Sequence, residues 1–129
     1  MRRRLALTTV VVDDYDRAIA WFTDCLGLVL LEDTRLPDGK RWVRIGSPGG
    51  GCGLLLAQAN GEAQQARIGD QTGGRVAFFL ETDNFLRDHS VMTSRGVRFL
   101  EEPRTEAYGT VAVFEDLYGN RWDLLEPVR

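Results

Sequence analysis

One carboxylate, Asp123, interrupts the apolar residues Trp122, Leu124 and Leu125 in the closing strand of a hairpin that reads YGTVAVFEDLYGNRWDLLEP from Tyr108 to Pro127. Burying a charge without a partner is costly, so a carboxylate in that position is solvated, paired or bound to something. The other groups able to do acid–base, nucleophilic or metal chemistry are thinly spread. His89 is the only histidine; it lies four residues after Phe85 and three before Met92, the spacing of a partly buried helix residue rather than of a ligand set. Cys25 and Cys52 form neither a CxxC pair nor a metal-ligand spacing and are expected to be reduced packing residues. Asp123, Arg75, Tyr108 and His89 are the groups that leave chemistry open, because a buried carboxylate near a basic partner can be tuned for acid or base work. Glu81, Glu115, Asp116 and Glu126 fall at strand ends and turns and are expected to be solvated.

The elements that must position these groups follow from periodicity and punctuation. Leu5 to Val12 is a continuous apolar, β-branched run suited to a strand buried on both faces. Asp13-Asp14 supplies an N-cap, Tyr15, Ile19, Phe22 and Leu26 form one helical stripe, and Gly27 ends the helix. Strands are expected at Leu28–Leu31, Arg41–Ile45 and Gly53–Ala57, with a Leu36-Pro37-Asp38-Gly39 turn between the first two. The glycine-rich stretch from Asn60 to Gly74 reads as a linker with one helical turn around Ala63 to Arg67, and alternatively as a flap over a cleft. The order then begins again: a strand at Arg75–Glu81, a helix capped by Asp83 with Phe85, Met92 and Leu86 on its apolar face, Gly96 as its stop, and strands at Val97–Leu100, Thr110–Phe114 and Arg121–Leu125. Shifting the second half onto the first aligns Gly27 with Gly96 and Leu54 with Asp123, the mark of an internal duplication. The resulting expectation is an α+β fold of two βαβββ modules, 5–57 and 75–127, joined by a 58–74 linker within one domain.

Composition narrows the function classes. The chain has 129 residues, 43% apolar and 27% charged, enough for one sizeable core. Its net charge is −3, Lys40 is its only lysine, and Arg2-Arg3-Arg4 is its only basic cluster, so a nucleic-acid partner has no electrostatic support. No apolar run is long enough to span a membrane and no signal-type segment follows the basic start, so a cytoplasmic protein with no membrane partner is expected. Trp42, Trp122, Phe78 and Phe114 sit in strand patterns where core packing is the default, while Trp21 lies at the edge of the first helical stripe.

Two segments, VVVDDYDRAIAWFTDCLGLVLLEDT and RGVRFLEEP with the final hairpin, resemble the modules of the vicinal oxygen chelate superfamily, which includes glyoxalase I, bleomycin resistance proteins and extradiol dioxygenases. The resemblance implies paired modules whose strands curl around a ligand cleft, a homodimer, and in metal-using members a divalent ion held by four side chains. Carried over, those four positions fall on Leu7, Leu54, Arg75 and Asp123. Leucine has no lone pair and arginine stays protonated, so only Asp123 can ligate a cation. The expectation is a small-molecule-binding protein with no cofactor, its cleft lined by Leu7, Thr9, Trp42, Leu54, Arg75, Tyr108 and Asp123, with Arg75 and Asp123 joined as an ion pair. The alternatives are a bound divalent metal and an enzyme of the lyase, isomerase or dioxygenase type acting on a small organic substrate.

Overall fold

The computed structural model describes residues 2–129, which gather into two compact units, one ending at Ile68 and one running Gly69–Arg129. In the first unit, β1 (Leu7–Val12), β2 (Val29–Arg35), β3 (Arg41–Gly46) and β4 (Gly53–Gln58) form a mixed sheet in the order β1-β4-β3-β2, with β1 parallel to β4 and the other pairs antiparallel. Between β1 and β2 runs α1 (Tyr15–Leu26). Asp14 caps it by accepting the Arg17 N–H at 2.8 Å, and Gly27 ends it at φ 69°, a left-handed conformation that strains any residue with a Cβ. Tyr15, Ala18, Phe22 and Leu26 close a core with Val10, Val12, Val43, Ile45, Leu54 and Leu56. Each large apolar side chain buried there contributes about 1.5–3 kcal/mol.

β1 is not buried on both faces. Val10 and Val12 are fully covered, but Thr9 is exposed, because α1 covers one face of the sheet and the period of two sends alternate residues to the other. Leu7, Thr9, Trp42, Arg44 and Leu55 share that other face. A single short helix, α2 (Glu62–Gln65), occupies the stretch where one helical turn is expected.

The second unit repeats the plan. β5 (Val76–Glu81), β9 (Arg121–Pro127), β8 (Gly109–Glu115) and β6 (Arg98–Phe99) lie in that order, and β7 (Arg104–Glu106) also pairs with β8. β7 is a strand that apolar periodicity did not announce. It and β6 together take the place that β2 holds in the first unit, interrupted around Pro103, which has no N–H to give to a ladder. Across the break the Leu100 N–H reaches the Val113 carbonyl at 2.8 Å, while the Val113 N–H is accepted by the Glu101 carboxylate at 2.9 Å. A side chain thus supplies the acceptor that a continuous strand would have supplied.

α3 (Phe85–Ser94) is capped by Asn84, not by Asp83: the Asn84 side chain accepts the Arg87 N–H at 3.1 Å, and Asp83 is instead paired with the Arg87 guanidinium at 2.9 Å. Glu126, expected to be solvated, accepts the Phe85 N–H at 2.7 Å and satisfies a second donor at the start of this helix. Phe85 and Met92 are buried, whereas Leu86 is 80% exposed, since the next residue along a helix lies about 100° around it. Asp116 is another correction. It is buried at the β8–β9 turn, where Oδ1 accepts the N–H groups of Tyr118 (2.9 Å) and Asn120 (3.0 Å) and Oδ2 accepts Asn120 Nδ2 (3.1 Å) and Trp122 Nε1 (3.0 Å). Gly119, at φ 96°, is the residue that lets this turn close.

Candidate functional site

A continuous run of rings fixes which way each residue of β9 faces. Under α3, Phe85 meets His89 (5.5 Å between ring centroids), His89 meets Phe99 (4.2 Å), Phe99 meets Phe114 (5.5 Å), Phe114 meets Trp122 (5.8 Å) and Trp122 meets Phe78 (4.8 Å). His89 is therefore part of the packing, as its spacing suggested. Alternation then turns Asp123 to the face away from α3, with its register partners Phe79 on β5 and Val113 on β8.

Asp123 is buried, 8% exposed, yet its Oδ1 is the one buried side-chain polar atom without a hydrogen-bond partner among the described residues. Burial pushes its carboxyl up from the ordinary value, the positive charge of Arg104 pulls it back, and the negative charge of Glu101 pushes it further up. Arg104 stands opposite Val111 on the same face and is held on three sides. Its Nε donates to both Glu101 oxygens at 3.1 Å, and its Nη1 donates to Glu106 at 2.8 Å and to the Tyr108 hydroxyl at 3.3 Å. Beside this polar group Phe79 is 65% exposed, an aromatic side chain on a sheet face that α3 does not cover.

The arrangement differs in three ways from the cleft expected from sequence. Arg75 is not the partner of Asp123. It precedes β5 and is exposed, and counted back from the caps Asp14 and Asn84 the residue that matches Leu7 is Ala77. Leu54 belongs to the core beneath α1; the residue of β4 on the opposite face is Leu55, paired with Thr9 and Arg44. Leu7, Thr9 and Trp42 do share that face, where Arg44 Nε meets Glu32 at 2.9 Å and the bond holds the Glu32 carboxyl below its usual range. Tyr108 and Asp123 do belong to one cluster, through Arg104. Arg104, Glu101 and Phe79 were missed. For Arg104 the one signal was the period of two through Arg104, Glu106 and Tyr108, which is charged rather than apolar and so looks like loop.

Of the four positions carried over from the resemblance, Leu7 offers no donor, and Leu55 and Ala77, which replace Leu54 and Arg75 in the structure, offer none either; among the described residues no group of three or more His, Cys, Asp or Glu is placed to hold an ion.

The sequence matches the family described as the Glyoxalase/Bleomycin resistance protein/Dioxygenase superfamily over residues 4–124. It is 48% identical to an uncharacterized protein of Shewanella frigidimarina (strain NCIMB 400), over 98% of this chain and 95% of that one. Among solved structures it is similar to UcmS2 (29% identity, TM-score 0.83, 97% of this chain and 98% of that one). It is also similar to TnmS3, an antibiotic binding protein from Streptomyces sp. CB03234 (25% identity, TM-score 0.78, 99% and 98%). No helix among the described residues is long and apolar enough to cross a membrane.

Proposed function

Because this chain belongs to the glyoxalase/bleomycin resistance protein/dioxygenase superfamily, we propose that it binds a small organic molecule, without a metal, on the face of its second sheet that turns away from α3. The observation that carries this reading is Asp123, whose buried Oδ1 has no hydrogen-bond partner among the described residues. A group of that kind costs stability, about 1–3 kcal/mol, and a ligand that supplies its hydrogen bond removes the cost. Phe79 offers the molecule an apolar surface, and Arg104, anchored by Glu101, Glu106 and Tyr108, presents a fixed cation beside the carboxylate. Apolar walls with a few fixed polar groups are the usual makeup of such a site. The likeness to TnmS3, itself described as an antibiotic binding protein, supports a binding role.

Screening a compound collection by thermal shift, then measuring hits by calorimetry, tests this directly. A molecule that binds only the folded state raises Tm with concentration. Hits should lose at least tenfold in affinity in Phe79→Ser and in Asp123→Leu; hits that bind both variants unchanged would refute the site. The raised pKa of Asp123 favours one second reading, an enzyme in which this carboxyl moves a proton to or from the bound molecule. Conversion of a hit into product, lost in Asp123→Asn, would decide for it. Exposed apolar side chains such as Leu30, Leu31 and Trp42 support a homodimer, and a monomer in sedimentation at micromolar concentration would contradict that.

A further inference from the structure

Two residues before Asp123 on the same face of β9 stands Arg121, about 7 Å away along the strand. It lines a cavity of about 160 Å³ that is walled by the glycine-rich loop before β5 and by the β8–β9 turn, with Thr72, Gly74, Arg75 and Asn120 also on its lining. That volume equals roughly five water molecules, room for one phosphate or carboxylate group with some hydration. Arg75 and Arg121 both line it, and neither has a carboxylate partner among the described residues, whereas Arg17, Arg41, Arg44, Arg87 and Arg104 are all paired. Arg121 Nη1 donates to the Gly74 carbonyl at 3.2 Å, which tethers the loop to the strand and leaves the other guanidinium N–H groups free.

The loop adds donors of its own. Gly73 and Gly74 sit at φ 69° and 109°, and their backbone N–H groups, with that of Thr72, make no hydrogen bond among the described residues. The loop is held in place: the Gln71 N–H reaches Asn120 Oδ1 at 3.2 Å, and Gly69 lies so close to the Tyr118 carbonyl that any Cβ would overlap it. Of the two carboxylates on the lining, Glu115 has Arg98 at 3.8 Å and Asp70 has a partner as well. Unspent amides on a glycine turn beside two guanidiniums without a carboxylate partner are the groups an oxyanion takes, since arginine meets phosphate and carboxylate with parallel hydrogen bonds.

We propose that this cavity is an anion subsite, formed by Arg75, Arg121 and the Thr72–Gly74 amides, which takes the phosphate or carboxylate group of a ligand whose organic part extends along β9 to Asp123. The organic part rests on the binding reading above, and the anion part stands without it. The test is an amide-resolved NMR titration of the intact protein with inorganic phosphate and, separately, with acetate. Saturable shifts at Thr72, Gly73 and Gly74 are expected, at least tenfold weaker in Arg75→Gln, which leaves the Arg121–Gly74 tether in place, and weaker still in the double exchange with Arg121→Gln. The stronger of the two anions identifies the group the ligand carries. Absence of saturation with both anions, or equal affinity in the double variant, overturns the subsite. Compounds that bind at Asp123 in a protein that ignores both anions refute the subsite alone. Anion binding at the loop with no compound found at Asp123 supports the subsite while sinking the binding reading.

Discussion

Replacing Asp123 with leucine, the residue type that Leu55 supplies at the matching position of the first sheet, should make the protein more stable while abolishing ligand binding. The carboxylate is buried with Oδ1 unbonded, a state that costs about 1–3 kcal/mol. The attraction of Arg104 offsets part of that cost and the repulsion of Glu101 adds to it, while Arg104 keeps Glu101 and Glu106 when Asp123 is gone. The net gain is thus expected at about 1–2 kcal/mol, a Tm rise of several degrees for a chain of this size. Urea unfolding reads it as a shift in midpoint at constant slope. The pH dependence supplies the sign. Burial raises the Asp123 pKa above its ordinary 3.8, so the folded state holds the proton more tightly than the unfolded state. The native protein therefore loses stability as pH rises from about 3.8 through the raised value, and the leucine variant does not lose that share. The advantage of the variant should be largest near neutral pH and shrink on acidification; Asp116, present in both proteins, cancels from the difference. A variant that is less stable than the native protein at pH 7 would show that Asp123 has a structural partner, and would remove the ground for assigning it to a ligand.

Asp116→Ala should cost about 3 kcal/mol or more, because it strands the Trp122 Nε1–H and the Tyr118 and Asn120 N–H groups in a buried turn; denaturant unfolding measures it, and a loss below 1 kcal/mol would show the turn closes without them. Glu126→Ala should cost about 1 kcal/mol through the lost cap on Phe85, seen as faster amide exchange in the first turn of α3. Gly109→Ala should destabilise by about 1–3 kcal/mol, since φ is 151° there and a Cβ would overlap the Glu126 carbonyl; an unchanged Tm would contradict the close approach.

Much of the architecture follows from local chemistry. The caps and stops, Asp14, Gly27 and Gly96, and the apolar periods around them set two helices and most strands, because each acts through its own neighbours within a turn or a strand length. That Asp123 places a charge among large apolar side chains was equally readable, since such a residue in a strand is conspicuous in any register. What surrounds it was not. Whether Leu54 or Leu55 leaves the core, whether Arg75 or Arg104 stands near the carboxylate, and whether Glu101 can act in place of a strand are all decided by pairing between segments distant in sequence. A shift of one residue in that pairing exchanges the two faces of a strand, and the sequence alone carries too little information to prevent such an error. Asp116 and Glu126 illustrate the same limit: each looks like a solvated turn or end residue, and each becomes structural because the folded chain brings unsatisfied N–H groups to it.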